Sequence, residues 1–249
     1  MSDWQDHFSD RASGYASYRP SYPDALFDWL AGIAQSRRLA WDCATGSGQA
    51  AGGLASRFER VVATDASPDQ LGNARPFPNV EYRVARAESS GLAAQSVDLV
   101  TVAQALHWFD HPSFFAEVAR VVRPSGVVAV WMYNLMVVNP QFDEALSRFY
   151  SDTVGPYWPG DRVYVDQGYA TVEIPFREIT PPRFEMDAEW SLDHLLGYLR
   201  TWSAVARYSK DQGRDPVALV APELAGHWGP PQTLKRVRWP IVLRAAIVD

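Results

Sequence analysis

The chain has 249 residues, 47% of them hydrophobic, a formal charge of −6 at neutral pH, and a single cysteine, Cys43. That size and apolar content support one domain with a full core, and one cysteine excludes an intrachain disulfide and fits a reducing compartment. Nearly all the cations are arginine, Lys210 and Lys235 being the lysines, and no basic run is present, so neither nucleic acid nor an anionic membrane is expected as a partner.

The opening residues Met1 to Asp6 lack both a basic start and an apolar core, and no apolar stretch approaches membrane-spanning length, so a cytoplasmic protein is expected. Over 21–33, Leu26, Phe27, Leu30 and Ile33 recur at helical spacing, with Pro23 and Asp24 as the start signal. Apolar runs predict strands at 39–43, 60–64, 80–84, 97–102 and 127–132. Helical segments at 49–58, 67–74 and 112–122 lie between them, and that alternation means a parallel sheet. Arg123-Pro124-Ser125-Gly126 reads as the turn into the fifth strand. After Asn134 the pattern changes to aromatic-rich segments broken by Pro and Gly, at 141–153, 155–160, 193–209 and 216–228, which read as a cap. Strands at 176–189, interrupted at Pro181-Pro182, and at 234–248 complete the sheet. One domain over 1–249 is expected. Its core covers about 22–134 plus the strands near 176–189 and 234–248, its cap about 135–175 and 190–233, and its N-terminal strap 1–21.

The chemistry concentrates after the first strand, in Asp42-Cys43-Ala44-Thr45-Gly46-Ser47-Gly48. Gly46 and Gly48 let the backbone turn tightly and approach a ligand that a Cβ would hold off. Asp65, at the tip of the second strand, suits two ribose hydroxyls, because an ionised carboxylate accepts both hydrogen bonds at once. The pair predicts a nucleoside cofactor. Gly46, Gly48, Ala51 and Asp65 also satisfy the permissive dinucleotide fingerprint, which keeps an NAD(P)-dependent oxidoreductase open. Asp42 argues against that reading: a carboxylate there repels a pyrophosphate and suits a ligand bearing an ammonium and a sulfonium.

Further signals follow the third and fourth strands, Ala87-Glu88 and then Ala103-Gln104-Ala105-Leu106-His107-Trp108-Phe109-Asp110. With them, residues 41–134 resemble the class I S-adenosylmethionine (SAM)-dependent methyltransferases, and the second run resembles a small-molecule subgroup that includes trans-aconitate methyltransferase. Tyr15, Tyr18, Arg19, Pro20 and Tyr22-Pro23 at one end, and Arg238-Trp239-Pro240-Ile241 at the other, extend the likeness. The resemblance implies an α/β Rossmann-like sheet of seven strands, mostly parallel with the last antiparallel, carrying helical cap insertions. It also implies SAM as the cofactor, held by Tyr18, Arg19, Asp42, Ala44, Gly46, Gly48, Gln49, Asp65, Ala66, Gln70, Ala87, Glu88, Gln104, Ala105 and Trp108. Asp42 would orient the turn and hold the methionine end, directly or through water, and Arg19 suits the methionine carboxylate as a bidentate partner. Trp108 offers a ring face to the sulfonium or the adenine. Ala44 stands where the family has its first glycine, which implies a slightly displaced backbone.

His107 has three readings: general base, hydrogen-bond donor to substrate, or a residue that fixes its loop. His107 and His111 mimic metal-ligand spacing, but Pro112 starts a helix between their surroundings, and no metal is expected. Tyr133, Arg162 and Trp202 join His107 as candidate substrate contacts, with Arg200 and Arg207 as further cations in the cap. The function expected is O-methylation of a small molecule. A carboxylate acceptor needs no base, whereas a hydroxyl would call on His107. A non-catalytic SAM-binding protein is the remaining alternative, prompted by Ala44.

Overall fold

The computed structural model of the protein describes residues 20–249. The expectations for Tyr15, Tyr18 and Arg19, and all but the last two residues of the strap, lie outside the described residues.

The first helix, α1, spans Asp24–Ile33 and buries Leu26, Phe27, Leu30 and Ala31 on one side. Five strands run parallel: β1 (Leu39–Cys43), β2 (Arg60–Asp65), β3 (Val80–Val84), β4 (Val97–Ala103) and β5 (Val122–Tyr133). Between them lie α2 (Gln49–Ala55), α3 (Pro68–Gly72) and α4 (His111–Val121). The sheet continues with two short strands, β6 (Arg177–Ile179) and β7 (Phe184–Trp190), and with β8 (Lys235–Val248). Their order is β3-β2-β1-β4-β5-β8-β6, with β7 also on β8. β8 runs antiparallel to β5, β6 and β7, so it is the one reversed strand.

The sheet has eight strands where seven were expected, because β6 and β7 pair with successive parts of the long β8. Pro181 and Pro182 have no N–H to give to the ladder, so the chain leaves the sheet between them. β5 also begins earlier than expected. Val97 pairs with Val122 and Leu99 with Val127, so the Arg-Pro-Ser-Gly segment is a bulge within the strand, with Ser125 at φ +62°.

Side chains alternate across the sheet. Val127, Ala129, Trp131 and Tyr133 join one buried cluster with Leu26, Phe27 and Leu54, while Val128, Val130 and Met132 join the other with Trp41, Phe114 and Val118. The cap helices are α5 (Pro140–Arg148), α6 (Arg162–Asp166), α7 (Leu192–Arg200), α8 (Ser203–Gln212) and α9 (Val217–Trp228). Phe142, Leu146, Leu195, Leu199, Leu224 and Trp228 from these helices are buried in the same cluster as Trp131 and Trp239. Each such side chain contributes about 1.5–3 kcal/mol on burial. The cap segment read at 193–209 holds two helices, separated at Trp202, whose extended backbone opens α8. No helix among the described residues is long and apolar enough to cross a membrane.

Strand order reverses between β1 and β4, and in an open α/β sheet ligands bind outside the carboxyl ends of the strands at that point. The turn after β1, the tip of β2 and the loops after β3 and β4 all lie at this end.

Candidate functional site

The turn after β1 is built from three left-handed residues, Ala44 at φ +54°, Gly46 at +56° and Gly48 at +83°. A Cβ on Gly48 would come within 2.5 Å of the Tyr82 hydroxyl, which donates to the Arg75 carbonyl at 2.7 Å. Glycine is therefore required there on two counts. The Gly46 N–H donates to Asp65 Oδ2 at 2.8 Å, and the Ser67 N–H donates to Oδ1 at 2.9 Å. These bonds make the acid at the tip of β2 and the glycine turn one rigid unit. Ser67 also opens α3, its Oγ accepting from the Gln70 N–H at 3.4 Å, which places Ala66 and Gln70 beside the turn.

Ala44 takes the left-handed conformation that glycine would take, so the turn keeps its path at a cost of about 1–2 kcal/mol. Ala44→Gly is expected to stabilise the fold by about 0.5–1 kcal/mol, the remainder being offset by the freer unfolded chain. Denaturant titration checks this through a higher midpoint at unchanged slope.

Asp42 lies behind the turn and is fully buried. It accepts from Thr45 Oγ1 at 2.5 Å and from Thr101 Oγ1 at 2.8 Å. Burial pushes its carboxyl up to about 6, and the two hydroxyls and the Ala51 amide hold it from going higher. Asp42 thus braces the turn from the protein side.

Two glutamines bond within the protein. Gln49 Nε2 donates to the Pro20 carbonyl at 2.7 Å, tying the incoming chain to the start of α2. Gln104, at φ +57°, donates from Nε2 to the Tyr133 carbonyl at 2.9 Å and accepts from the Tyr133 N–H at 3.2 Å. Its amide joins the ends of β4 and β5 and is engaged by the protein itself. Ala87 and Ala105 are buried at the loop bases, and Glu88 Oε1 accepts from the Asp110 N–H at 3.3 Å, linking the loops after β3 and β4.

Leu106–Trp108 forms one 3₁₀ turn after β4, with the His107 and Trp108 rings 4.6 Å apart. His107 Nδ1 lies 3.0 Å from the hydroxyl of Tyr169, a residue the sequence reading did not single out. Desolvation, then the charges of Arg162 and His111, push the imidazole down to about 3, so it is neutral at physiological pH. Such a group is a poor base, and the geometry favours the donor reading. His111 Nε2 meets the Leu106 carbonyl at 3.0 Å, and no group of three or more potential metal ligands occurs among the described residues.

On the cap side, Arg162 Nε donates to Tyr150 Oη at 2.8 Å and Nη2 donates to Asn134 Oδ1 at 2.8 Å. Tyr150 in turn donates to Asp166, and Asn134 Nδ2 donates to the same carboxylate at 3.1 Å. The guanidinium lies 4.5 Å from the Trp158 ring centroid. This ring of side chains pins the cap to the chain leaving β5, and its members Tyr150, Trp158, Arg162 and Asp166 line a cavity of about 380 Å³ together with Pro159 and Val163. Trp202 stands behind the wall, its ring 5.8 Å from Tyr150 and 5.7 Å from Trp158. Tyr133 is buried in the core at the end of β5.

A reversed-strand α/β sheet with a glycine turn bonded to a strand-tip acid defines an enzyme that binds a nucleoside cofactor. The comparisons with known proteins say which. A methyltransferase domain matches residues 41–130. A Dictyostelium discoideum protein named as a methyltransferase is 35% identical over 225 residues, 89% of this chain and 84% of that one. A solved structure from Anaeromyxobacter dehalogenans, described as a type II methyltransferase, superposes with a TM-score of 0.88 at 46% identity, covering 92% of this chain and 98% of that one. A Mycobacterium tuberculosis methyltransferase is 40% identical over 126 residues, about half of each chain. The protein belongs to the class I SAM-dependent methyltransferases. The oxidoreductase reading falls with that membership, and SAM is the cofactor. The site fits it: two left-handed glycines allow close approach, Asp65 is set for a ribose, and the acids at 42, 65 and 88 suit a cation better than a pyrophosphate.

Proposed function

We propose that the protein methylates a carboxylate oxygen of a small organic acid. Asp65 holds the ribose of SAM, the Gly46–Gly48 turn receives its methionine end, and the backbone at Ala87 and Ala105 borders the adenine. SAM supplies a methyl group on a sulfonium, which is transferred by in-line displacement. The protein therefore has mainly to hold the acceptor oxygen about 3–3.5 Å from that carbon.

The observation that carries the reading is an Arg162 guanidinium with one nitrogen uncommitted, close enough to a neutral His107 to oppose a charge on it. Nη1 of Arg162 has no hydrogen-bond partner among the described residues, while Nε and Nη2 are committed to Tyr150 and Asn134. A cation fixed on two sides with a third side open suits a carboxylate. His107, held near 3, supplies a neutral donor and no base, so an acceptor already ionised at neutral pH is favoured over a hydroxyl.

Incubation with SAM and a panel of mono-, di- and tricarboxylates beside their alcohol and amide analogues tests this, read as S-adenosylhomocysteine formed. Turnover is expected with acids alone. Arg162→Gln is expected to raise the acceptor KM by about 30-fold, the loss of a charge-assisted bond worth about 2 kcal/mol, with S-adenosylhomocysteine affinity unchanged. Equal turnover of an alcohol analogue overturns the carboxylate assignment.

A further inference from the structure

We propose that Tyr169 is a positioning residue for His107. Its hydroxyl donates to Nδ1, locks the imidazole in the Nε2–H tautomer, and leaves Nε2–H as a fixed donor for the acceptor. Its consequence for catalysis rests on the carboxylate reading above, whereas the tautomer itself does not.

The hydrogen-bond length is 3.0 Å, and the two rings lie 6.2 Å apart at 30°. Direction follows from the surroundings of the phenol oxygen. The backbone amides of His107 and Leu106 face that oxygen as donors, which favours its own proton as the one directed at Nδ1. Burial holds the phenol well above its usual range, so the proton is present at any pH the protein tolerates. Arg162 on α6 and His111 on α4 also face His107 and both oppose a charge on it. The ring therefore stays neutral, with one nitrogen protonated. Among the described residues Nε2 of His107 has no hydrogen-bond partner.

The backbone supplies an independent reason. Gly168 at φ +61° and Tyr169 at φ +59° are consecutive left-handed residues, an unfavourable conformation for a bulky side chain. Such a residue persists only where its surroundings impose it, and strain of this kind concentrates at functional sites. Here the Tyr169 N–H donates to the Tyr164 carbonyl at 2.7 Å. From β8, Arg244 Nη1 donates to the carbonyls of Tyr169 and Val172, each at 2.6 Å, while Nε and Nη2 of the same guanidinium are gripped by Glu178. The turn so anchored delivers a phenol, only 1% exposed, to the histidine after β4.

The test is nitrogen-15 NMR of the histidine imidazoles at pH 7, with the His107 signals identified by their loss in His107→Gln. The wild type is expected to show Nδ1 unprotonated and Nε2 protonated. Tyr169→Phe is expected to give a mixture of tautomers and to raise the acceptor KM roughly tenfold, with kcat and S-adenosylhomocysteine affinity nearly unchanged. His107→Gln retains an N–H near the Nε2 position, so adding Tyr169→Phe in that background is expected to change KM by less than about twofold. An Nδ1–H tautomer in the wild type overturns the proposal even if Tyr169→Phe does not fold. An Nε2–H tautomer that persists in folded Tyr169→Phe also overturns it. If the tautomer is as proposed and no acid is methylated, the carboxylate assignment falls and the role of Tyr169 in setting the tautomer stands.

Discussion

Asp65→Ala is expected to weaken binding of S-adenosylhomocysteine by about 100-fold or more while the chain still unfolds cooperatively. The carboxylate is expected to take both ribose hydroxyls, and a hydrogen bond to a charged acceptor is worth about 1.5–3 kcal/mol, so losing two costs about 3 kcal/mol or more. The substitution also releases the Gly46 and Ser67 amides that the carboxylate now orders, which loosens the turn before any ligand arrives. Asp65→Asn keeps one acceptor oxygen and is expected to fall between the two. Calorimetric titration reads all three proteins, and an Asp65→Ala affinity within threefold of wild type contradicts the placement of the ribose.

Asp42→Asn has the largest effect expected on stability, and its sign depends on pH. Burial raises the Asp42 carboxyl from 3.8 to about 6 in the folded protein. The native state therefore binds this proton more tightly than the unfolded chain does. The group's contribution to stability is fully present below about pH 4 and is lost as pH rises through 6. At neutral pH the ionised, buried acid costs on the order of 2–3 kcal/mol, at 1.36 kcal/mol per pK unit. Asparagine is neutral and nearly isosteric, and the Thr45 and Thr101 hydroxyls can turn to serve it. The thermal midpoint of Asp42→Asn at pH 8 is expected to exceed wild type by about 5 °C, the gap closing toward pH 4. A gap equal at pH 5 and pH 8 contradicts this origin. The acid is consistent with a trade of stability for function, because an anion behind the turn favours a cationic cofactor. The ratio of SAM to S-adenosylhomocysteine affinity is accordingly expected to fall in the variant.

What could be read from the sequence was local. β1 and β3 have the boundaries their apolar runs predict, and the glycine turn and Asp65 stand where the strand spacing puts them. Period and turn chemistry carry such information because the residues involved are close in the chain or one βα unit apart. What escaped was the use made of side chains by distant partners. Gln104 meets Tyr133 across 29 residues, and His107 meets Tyr169 across 62. Nothing in the composition of either segment marks those pairs. Arg200 shows the same gap from the other side: it was named with Arg162 as a cation for an anion, yet it pairs with Asp215 at 2.8 Å on the surface of the cap. Residue type alone does not separate the two arginines. Position over the strand ends does, and it depends on how the chain from 149 to 166 folds back across β5. The same holds for the buried acids. Asp98 is as enclosed as Asp42, but it accepts from the Arg38 and Leu39 amides and from Arg123 at the opposite end of the sheet, where its work is structural.

The most direct test of a carboxylate acceptor is the alkali stability of the product. The protein is incubated with SAM carrying a tritiated methyl group and with each acid that supports S-adenosylhomocysteine formation, and the product is then treated with mild base. A methyl ester is expected, so the label should leave as volatile methanol. Label that survives the base in a non-volatile ether or methylamine would contradict the account and return His107 to the role of general base.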